Sequence, residues 1–325
     1  MKRFLLLIIF TSQLVITYKL YAQPSNVTTI THYNIVMVPD LSNRLMRNTG
    51  LSDVDIVRAL LSDIYPKITN YKRAMNQKDQ YRVVLSSKKL GIIYHADYSR
   101  MAICLNSFAN QRERITYLNG RNTGNNLSAT TAAFTTEFAR IETEARKKTD
   151  GADIWSFFYS GVDANLVEFT EQKIYGNKVI RNQYRNILVL FTDGYIEAGI
   201  SSAQGREGNQ CRYLSSSFIG KFRKAYQKRA NKDESLQAFF SRNEYGIIPV
   251  NNSYLKYFDV LLLQADDRTL TATGNATIFP TDYEIMQLFW NDWMKKSGVQ
   301  HFEMHPLARD AREAEQNILS FMNIK

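Results

Sequence analysis

The sequence contains little of what would define a disulfide-stabilised, fibrous or disordered protein. Only two of its 325 residues are cysteines, too few for a disulfide scaffold or a four-cysteine zinc site. Glycine and proline are also scarce, at 15 and 6 residues, which excludes collagen-like and low-complexity chains. With 44% hydrophobic and 22% charged residues, the composition is typical of a globular protein with a sizeable buried core.

The first 22 residues have the pattern of a secretory signal peptide. Lys2 and Arg3 precede an apolar run over 4–10, and a small residue, Ala22, comes before a polar start. The run is short for a membrane-spanning helix, so we expect cleavage, with an uncleaved anchor as the alternative. We therefore predict a mature chain that is periplasmic, on the cell surface or secreted, with membrane contact only if the segment stays uncleaved.

The charge of the sequence bears on the class of partner, and its two cysteines bear on whether a disulfide bond forms. The formal net charge is +10, but part of it falls in the segment expected to be removed. The basic cluster near 215–232 shares its predicted helix with apolar residues, and no recognition motif is present, so no nucleic-acid partner is expected. Cys104 and Cys211 could pair in an oxidising compartment, but their apolar and polar contexts differ, and a buried free thiol at Cys104 is at least an equal alternative.

Short apolar runs alternate with helical patterns along the mature chain. The clearest predicted strands are 33–38, 186–191 and 258–263. Amphipathic helices are predicted from Ser52 and from Leu127 onward. This alternation predicts a doubly wound α/β fold, with a mainly parallel sheet and helices on both faces.

Some shorter segments complete this prediction. The runs 81–85 and 90–94 suggest a strand pair, and 99–111 suggests a helix. No internal repeat or long linker is visible, so we expect a single domain over 23–325.

Acidic residues follow two of the predicted strands directly. Asp40 and Ser42 come after the first strand, and Asp193 stands in the equivalent place after 186–191. Parallel sheets bind ligands at the carboxyl ends of their strands, so we expect these side chains at one edge. Their oxygen atoms suit Mg²⁺, Ca²⁺ or Mn²⁺, and the sequence therefore predicts a divalent cation.

The order of these motifs resembles the von Willebrand factor A-type (VWA) domain, whose three loops form a metal-ion-dependent adhesion site. The matching stretches, in chain order, are 38–44, 117–124 and 188–194. The resemblance implies that Asp40, Ser42, Thr123 and Asp193 hold the cation and that an acidic residue of a protein partner completes its coordination. It also implies a Rossmann-like fold and an exported binding or scaffolding module. The chain is longer than is usual for the family, and the resemblance implies that the excess forms insertions near 150–180 and 200–250.

Two arginines depart from the family pattern. Arg44 stands where the first motif has its second serine, and Arg121 stands at the coordinating threonine if the loops are aligned without a gap. A guanidinium could therefore have replaced the metal, which leaves a metal-free interaction protein that uses the same face. Asp40 and Asp193 could also simply cap helices. A metal-dependent phosphohydrolase is a further alternative, although no catalytic motif accompanies Asp40.

Overall fold

The computed structural model describes residues 26–47, 51–69, 77–121, 124–148, 152–197 and 205–324. The chain divides into two compact units, a larger one of 31–169 and 184–325 and a smaller one of 1–30 and 170–183. The predicted signal peptide lies outside the described residues. The division into a single domain with two insertions stays a prediction.

The secondary structure alternates between strands and helices. The strands are β1 (Asn26–Pro39), β2 (Gln80–Val83), β3 (Ala102–Cys104), β4 (Glu171–Tyr175), β5 (Lys178–Phe191), β6 (Arg206–Glu207), β7 (Gln210–Cys211), β8 (Gly246–Ile247), β9 (Phe258–Ala265) and β10 (His301–Pro306). The α-helices of six or more residues are α1 (Asp53–Ser62), α2 (Lys88–Ile93), α3 (Gln111–Leu118), α4 (Leu127–Ala145), α5 (Ser216–Gln227), α6 (Leu236–Arg242), α7 (Asp282–Lys296) and α8 (Ala311–Phe321).

The main sheet has the strand order β10-β9-β5-β1-β2-β3. The pairs β1–β2, β5–β9 and β9–β10 are parallel, and β3 joins β2 antiparallel at one edge. In the smaller unit, β4 pairs antiparallel with the beginning of β5, from Glu171 opposite Asn182 to Tyr175 opposite Lys178. A second small sheet has the order β6-β7-β8. The mostly parallel sheet confirms the predicted α/β fold class.

Helices of the larger unit cover both faces of the sheet, as expected for a doubly wound fold. Ile35 and Met37 of β1 are buried with side chains of α1, α4 and α8. Val36 and Val38 point the other way and are buried with side chains of α5, α6 and α7. Successive residues of a strand face opposite sides, and burying each such side chain contributes about 1.5–3 kcal/mol. The continuous apolar run of β1 therefore reflects a strand that is buried on both faces.

Two of the predicted elements were wrong. The segment 90–94 lies largely in helix α2 and not in a strand, because Ser87 accepts a hydrogen bond from the Leu90 amide and caps that helix. Residues 99–111 do not form one helix, because Ala102–Cys104 pairs with β2. Helix α1, in contrast, begins where expected, with Ser52 accepting from the Asp55 amide at 3.2 Å.

The two cysteines are free thiols, with Cys211 buried and Cys104 half-buried. No helix within the described ranges is both long and apolar enough to cross a membrane.

Two buried tryptophans of α7 can be compared to test whether a side-chain hydrogen bond stabilises the loop after β5. Trp290 and Trp293 are both fully buried, but only the Trp290 indole has a described partner, the Gly194 carbonyl at 2.8 Å. We expect Trp290→Phe to lower the free energy of unfolding by about 1–3 kcal/mol more than Trp293→Phe, because it also removes a buried hydrogen bond. Urea denaturation measures both losses, and equal losses would contradict the prediction.

Candidate functional site

The loops that follow β1, β5 and β9 meet at the carboxyl ends of these strands. The Asp40 amide donates to the Phe191 carbonyl at 2.8 Å, and the Asp266 amide donates to the Asp193 carbonyl at 3.0 Å. Gly194 has a φ of 87°, and a Cβ there would lie 2.8 Å from the Met286 sulfur, so the turn after Asp193 requires glycine. Backbone contacts thus bring Asp40 and Asp193 to one edge of the sheet.

Asp40 is buried, and both oxygens of its carboxylate already accept hydrogen bonds. One oxygen accepts from the Ser42 amide at 3.1 Å, and the other accepts from the Thr192 hydroxyl at 2.8 Å. Burial raises the pKa of Asp40 to about 6, against the opposing effect of Arg44 and with a further rise from Asp193. Asp40 therefore takes up a proton far more easily than an exposed aspartate.

Ser42 has a structural partner of its own. It is the N-cap of the 3₁₀ turn Asn43–Met46, and its hydroxyl accepts from the Arg44 amide at 3.4 Å. Its predicted role as a cation ligand stays a prediction. The same holds for Thr123, which lies outside the described residues. Arg121 is described and its side chain is exposed.

The Arg44 side chain lies among the groups that were expected to face a cation. Its Nε atom donates to the Asp40 carbonyl at 2.8 Å and lies 3.9 Å from the Asp40 carboxylate. Its two Nη atoms bond both carboxylate oxygens of Asp53, the first residue of α1. Both side chains of the Arg44–Asp53 pair are less than a tenth exposed. A guanidinium thus supplies positive charge beside Asp40.

Asp193 has its own arginine. Its Oδ2 atom lies 2.8 Å from an Nη atom of Arg268, and its Oδ1 accepts from the Tyr195 amide at 3.2 Å. The Arg268 guanidinium also stacks 3.6 Å above the Tyr195 ring and bonds Glu197. Burial raises the pKa of Asp193, against the opposing effects of Arg268 and Arg44. Asp193, like Asp40 a predicted cation ligand, therefore also has a guanidinium that compensates its charge.

These contacts do not fit a divalent ion well. Both carboxylates already have hydrogen-bond donors and a nearby guanidinium, and an added cation would be repelled by Arg44 and Arg268. Across the described ranges, no group of three or more His, Cys, Asp or Glu side chains could hold a metal ion. Metal binding by these residues stays a prediction, and the geometry favours the metal-free alternative.

A polar pocket opens beside these ion pairs. It comprises about 380 Å³, part of it open to solvent. The polar residues that line it are Arg44, Arg47, Asp53, Glu142, Arg146, Asp193, Gln264 and Asp266. Among the residues of this site, Asp53, Arg268, Gln264 and Asp266 were not predicted from the sequence. The rule that found Asp40 and Asp193 would have found Asp266, which directly follows buried strand β9.

Comparisons with known proteins assign no family. No family model and no curated protein matches the chain. Two crystal structures of the pilus adhesin SpaC from Lactobacillus rhamnosus GG, one of them in an open conformation, are similar at a TM-score of 0.32 with 12% and 11% identity. Each match covers 91% of this chain, which spans only 30% of the adhesin. A likeness of this size assigns neither a family nor a function.

Proposed function

We propose that this chain is an exported, VWA-like binding module that engages a protein partner at the carboxyl edge of its sheet. We further propose that guanidinium groups take the place of the divalent cation there. The observation that carries this proposal is the pairing of Arg44 with Asp53 beside Asp40, together with the pairing of Arg268 with Asp193. The order of the three VWA-like motifs supports the module, and the parallel sheet is compatible with it.

The burial of Asp40 disfavours the phosphohydrolase alternative. An aspartate nucleophile must be open to its substrate. Asp40 is only 2% exposed, and both of its carboxylate oxygens accept hydrogen bonds. A side chain in this state stabilises its loop and is poorly placed for attack on a phosphate.

Photo-crosslinking in the organism of origin tests the partner. Met46 is 64% exposed and lies between Leu45 and Arg47, two residues that line the pocket. A photoreactive amino acid at position 46 is expected to capture a discrete protein partner. The matched control is position 256, an exposed lysine in the turn before the amino end of β9. Equal capture at both positions, or none at position 46, would overturn the proposal.

Ion titration tests the metal-free mode. We expect the melting temperature of the purified mature protein to be unchanged by Mg²⁺, Ca²⁺ or Mn²⁺ at up to about 10 mM, because a ligand stabilises only the state that binds it. The comparison variants are Asp40→Ala and, as a control, Asp233→Ala at an exposed loop position. A rise in melting temperature with one of these ions that Asp40→Ala abolishes and Asp233→Ala retains would establish the divalent cation instead.

A further inference from the structure

Gln264 is a buried polar residue whose side chain has no hydrogen-bond partner in the described part of the chain. It lies near the end of β9, its side chain lines the pocket beside Asp193 and Arg44, and it is only 4% exposed. Neither the nitrogen nor the oxygen of its carboxamide has a hydrogen-bond partner among the described residues. Nearly all buried polar groups in proteins are hydrogen-bonded, so an unpaired amide that faces a pocket points to a ligand.

The backbone of Gln264 is strained as well. Its φ is 74°, a left-handed conformation that residues other than glycine rarely adopt. It lies beside an irregularity in the pairing of β9 with β10, where the register shifts between Met304 and Pro306. Strain of this kind persists where the surrounding structure imposes it and is concentrated at functional sites. Strain and the unpaired amide thus coincide at one residue of the pocket.

The charges around Gln264 are already compensated. The ion pairs at the pocket are Arg44–Asp53, Arg47–Asp266, Arg146–Glu142 and Arg268–Asp193. Every charged side chain that lines the pocket is therefore paired. The hydrogen-bonding groups that remain unused are the uncharged carbonyl oxygen and NH₂ group of Gln264, which lie side by side. The group that complements both is another amide, whereas a charged ligand would have to disrupt an existing pair.

We propose that this pocket binds an uncharged amide group of the partner, which pairs with the Gln264 carboxamide through two hydrogen bonds. The amide would come from an asparagine or glutamine side chain, because the N–H and C=O of one trans main-chain peptide group point in opposite directions and cannot both bond one carboxamide. This inference rests on the proposed binding function, because it names the chemistry by which the pocket recognises its partner. It requires no metal ion and no ionised ligand.

Nuclear magnetic resonance with small probes tests the chemistry directly. The side-chain NH₂ resonance of Gln264 is identified by its loss in Gln264→Met. We expect acetamide to shift this resonance saturably, and N-methylacetamide, acetate and methylammonium to leave it in place. N-methylacetamide is the matched control, because it is an uncharged amide whose trans geometry prevents the second hydrogen bond. No saturable shift with acetamide, or an equal shift with N-methylacetamide or a charged probe, overturns the inference.

The Gln264→Met variant separates a binding role from a structural one. Methionine has a similar length and the same backbone strain but no unpaired polar atoms, so we expect the melting temperature to rise by about 2–6 °C. Capture of the partner at position 46 is expected to fall at least tenfold. A lower melting temperature would show that the amide has a structural role and would overturn the inference. Gln264→Asn, which keeps the amide and tolerates the left-handed conformation, is the control for folding and should retain part of the capture.

The two proposals can fail separately. If the partner is captured equally in wild type and in Gln264→Met, the amide inference fails and the binding function stands. If acetamide shifts the Gln264 resonance but position 46 captures no protein, the pocket chemistry stands and the proposed partner fails.

Discussion

Replacing Arg44 by alanine is expected to lower the free energy of unfolding by about 3–5 kcal/mol, because it leaves buried carboxylates without their compensating charge. The Asp53 side chain is 3% exposed and bonds both Nη atoms of Arg44. The Asp40 carbonyl would also lose the hydrogen bond from Nε, which measures 2.8 Å. Chemical denaturation of the wild type and the variant measures the difference.

The matched control is Arg47→Ala, three residues further along the chain. Arg47 also pairs with an aspartate, Asp266, at 2.8 Å, but its side chain is 42% exposed. An exposed pair contributes about 0–1 kcal/mol, so this variant should be nearly neutral. Arg44→Lys should fall between the two, because an ammonium cannot serve Asp53 and the Asp40 carbonyl in the same geometry. Equal losses for Arg44→Ala and Arg47→Ala would show that burial does not determine how much each ion pair contributes to the free energy of unfolding.

The architecture could be predicted because it depends on short, continuous runs of apolar residues in the sequence. Apolar runs over β1, β5 and β9 indicated strands that are buried on both faces, and such strands imply a parallel sheet covered by helices. One error fell on a segment whose structure depends on a distant partner, because β3 is three residues long and pairs with β2. The other error came from a local conflict: Ile92 and Ile93 favour a strand, but Ser87 caps the six-residue helix α2 that contains them.

The site could be predicted only in part, for a related reason. Asp40 and Asp193 follow buried strands directly, so sequence order alone places them at strand ends. The Arg44–Asp53 pair joins residues nine positions apart in the chain, and Arg268 reaches Asp193 from 75 positions away. Gln264 is a single polar residue at the end of an apolar strand, and neither its backbone conformation nor its unpaired amide leaves a signal in the sequence.

The stability of the chain is expected to depend on pH through Asp40. Burial raises the pKa of this carboxyl from 3.8 to about 6, so the folded protein retains a proton over a range in which the unfolded chain releases it. The contribution of Asp40 to stability is therefore complete below pH 3.8 and is lost as the pH rises through about 6. A shift of two pKa units corresponds to about 3 kcal/mol. Burial also raises the pKa of Asp193, which adds a change of the same sign.

Asp40→Asn isolates this effect, because asparagine resembles the protonated acid at every pH. We expect the stability of Asp40→Asn relative to wild type to increase by about 2–3 kcal/mol between about pH 4 and pH 7. Taking the difference between two proteins cancels the titration of other groups, such as Glu315, whose pKa burial raises to about 7. Asp233→Asn, at an exposed position, should show no such trend. A constant difference between Asp40→Asn and wild type would mean that Arg44 fully offsets the burial of Asp40. Asp40 would then be ionised over the whole range from about pH 4 to pH 7, and its burial would give stability no dependence on pH.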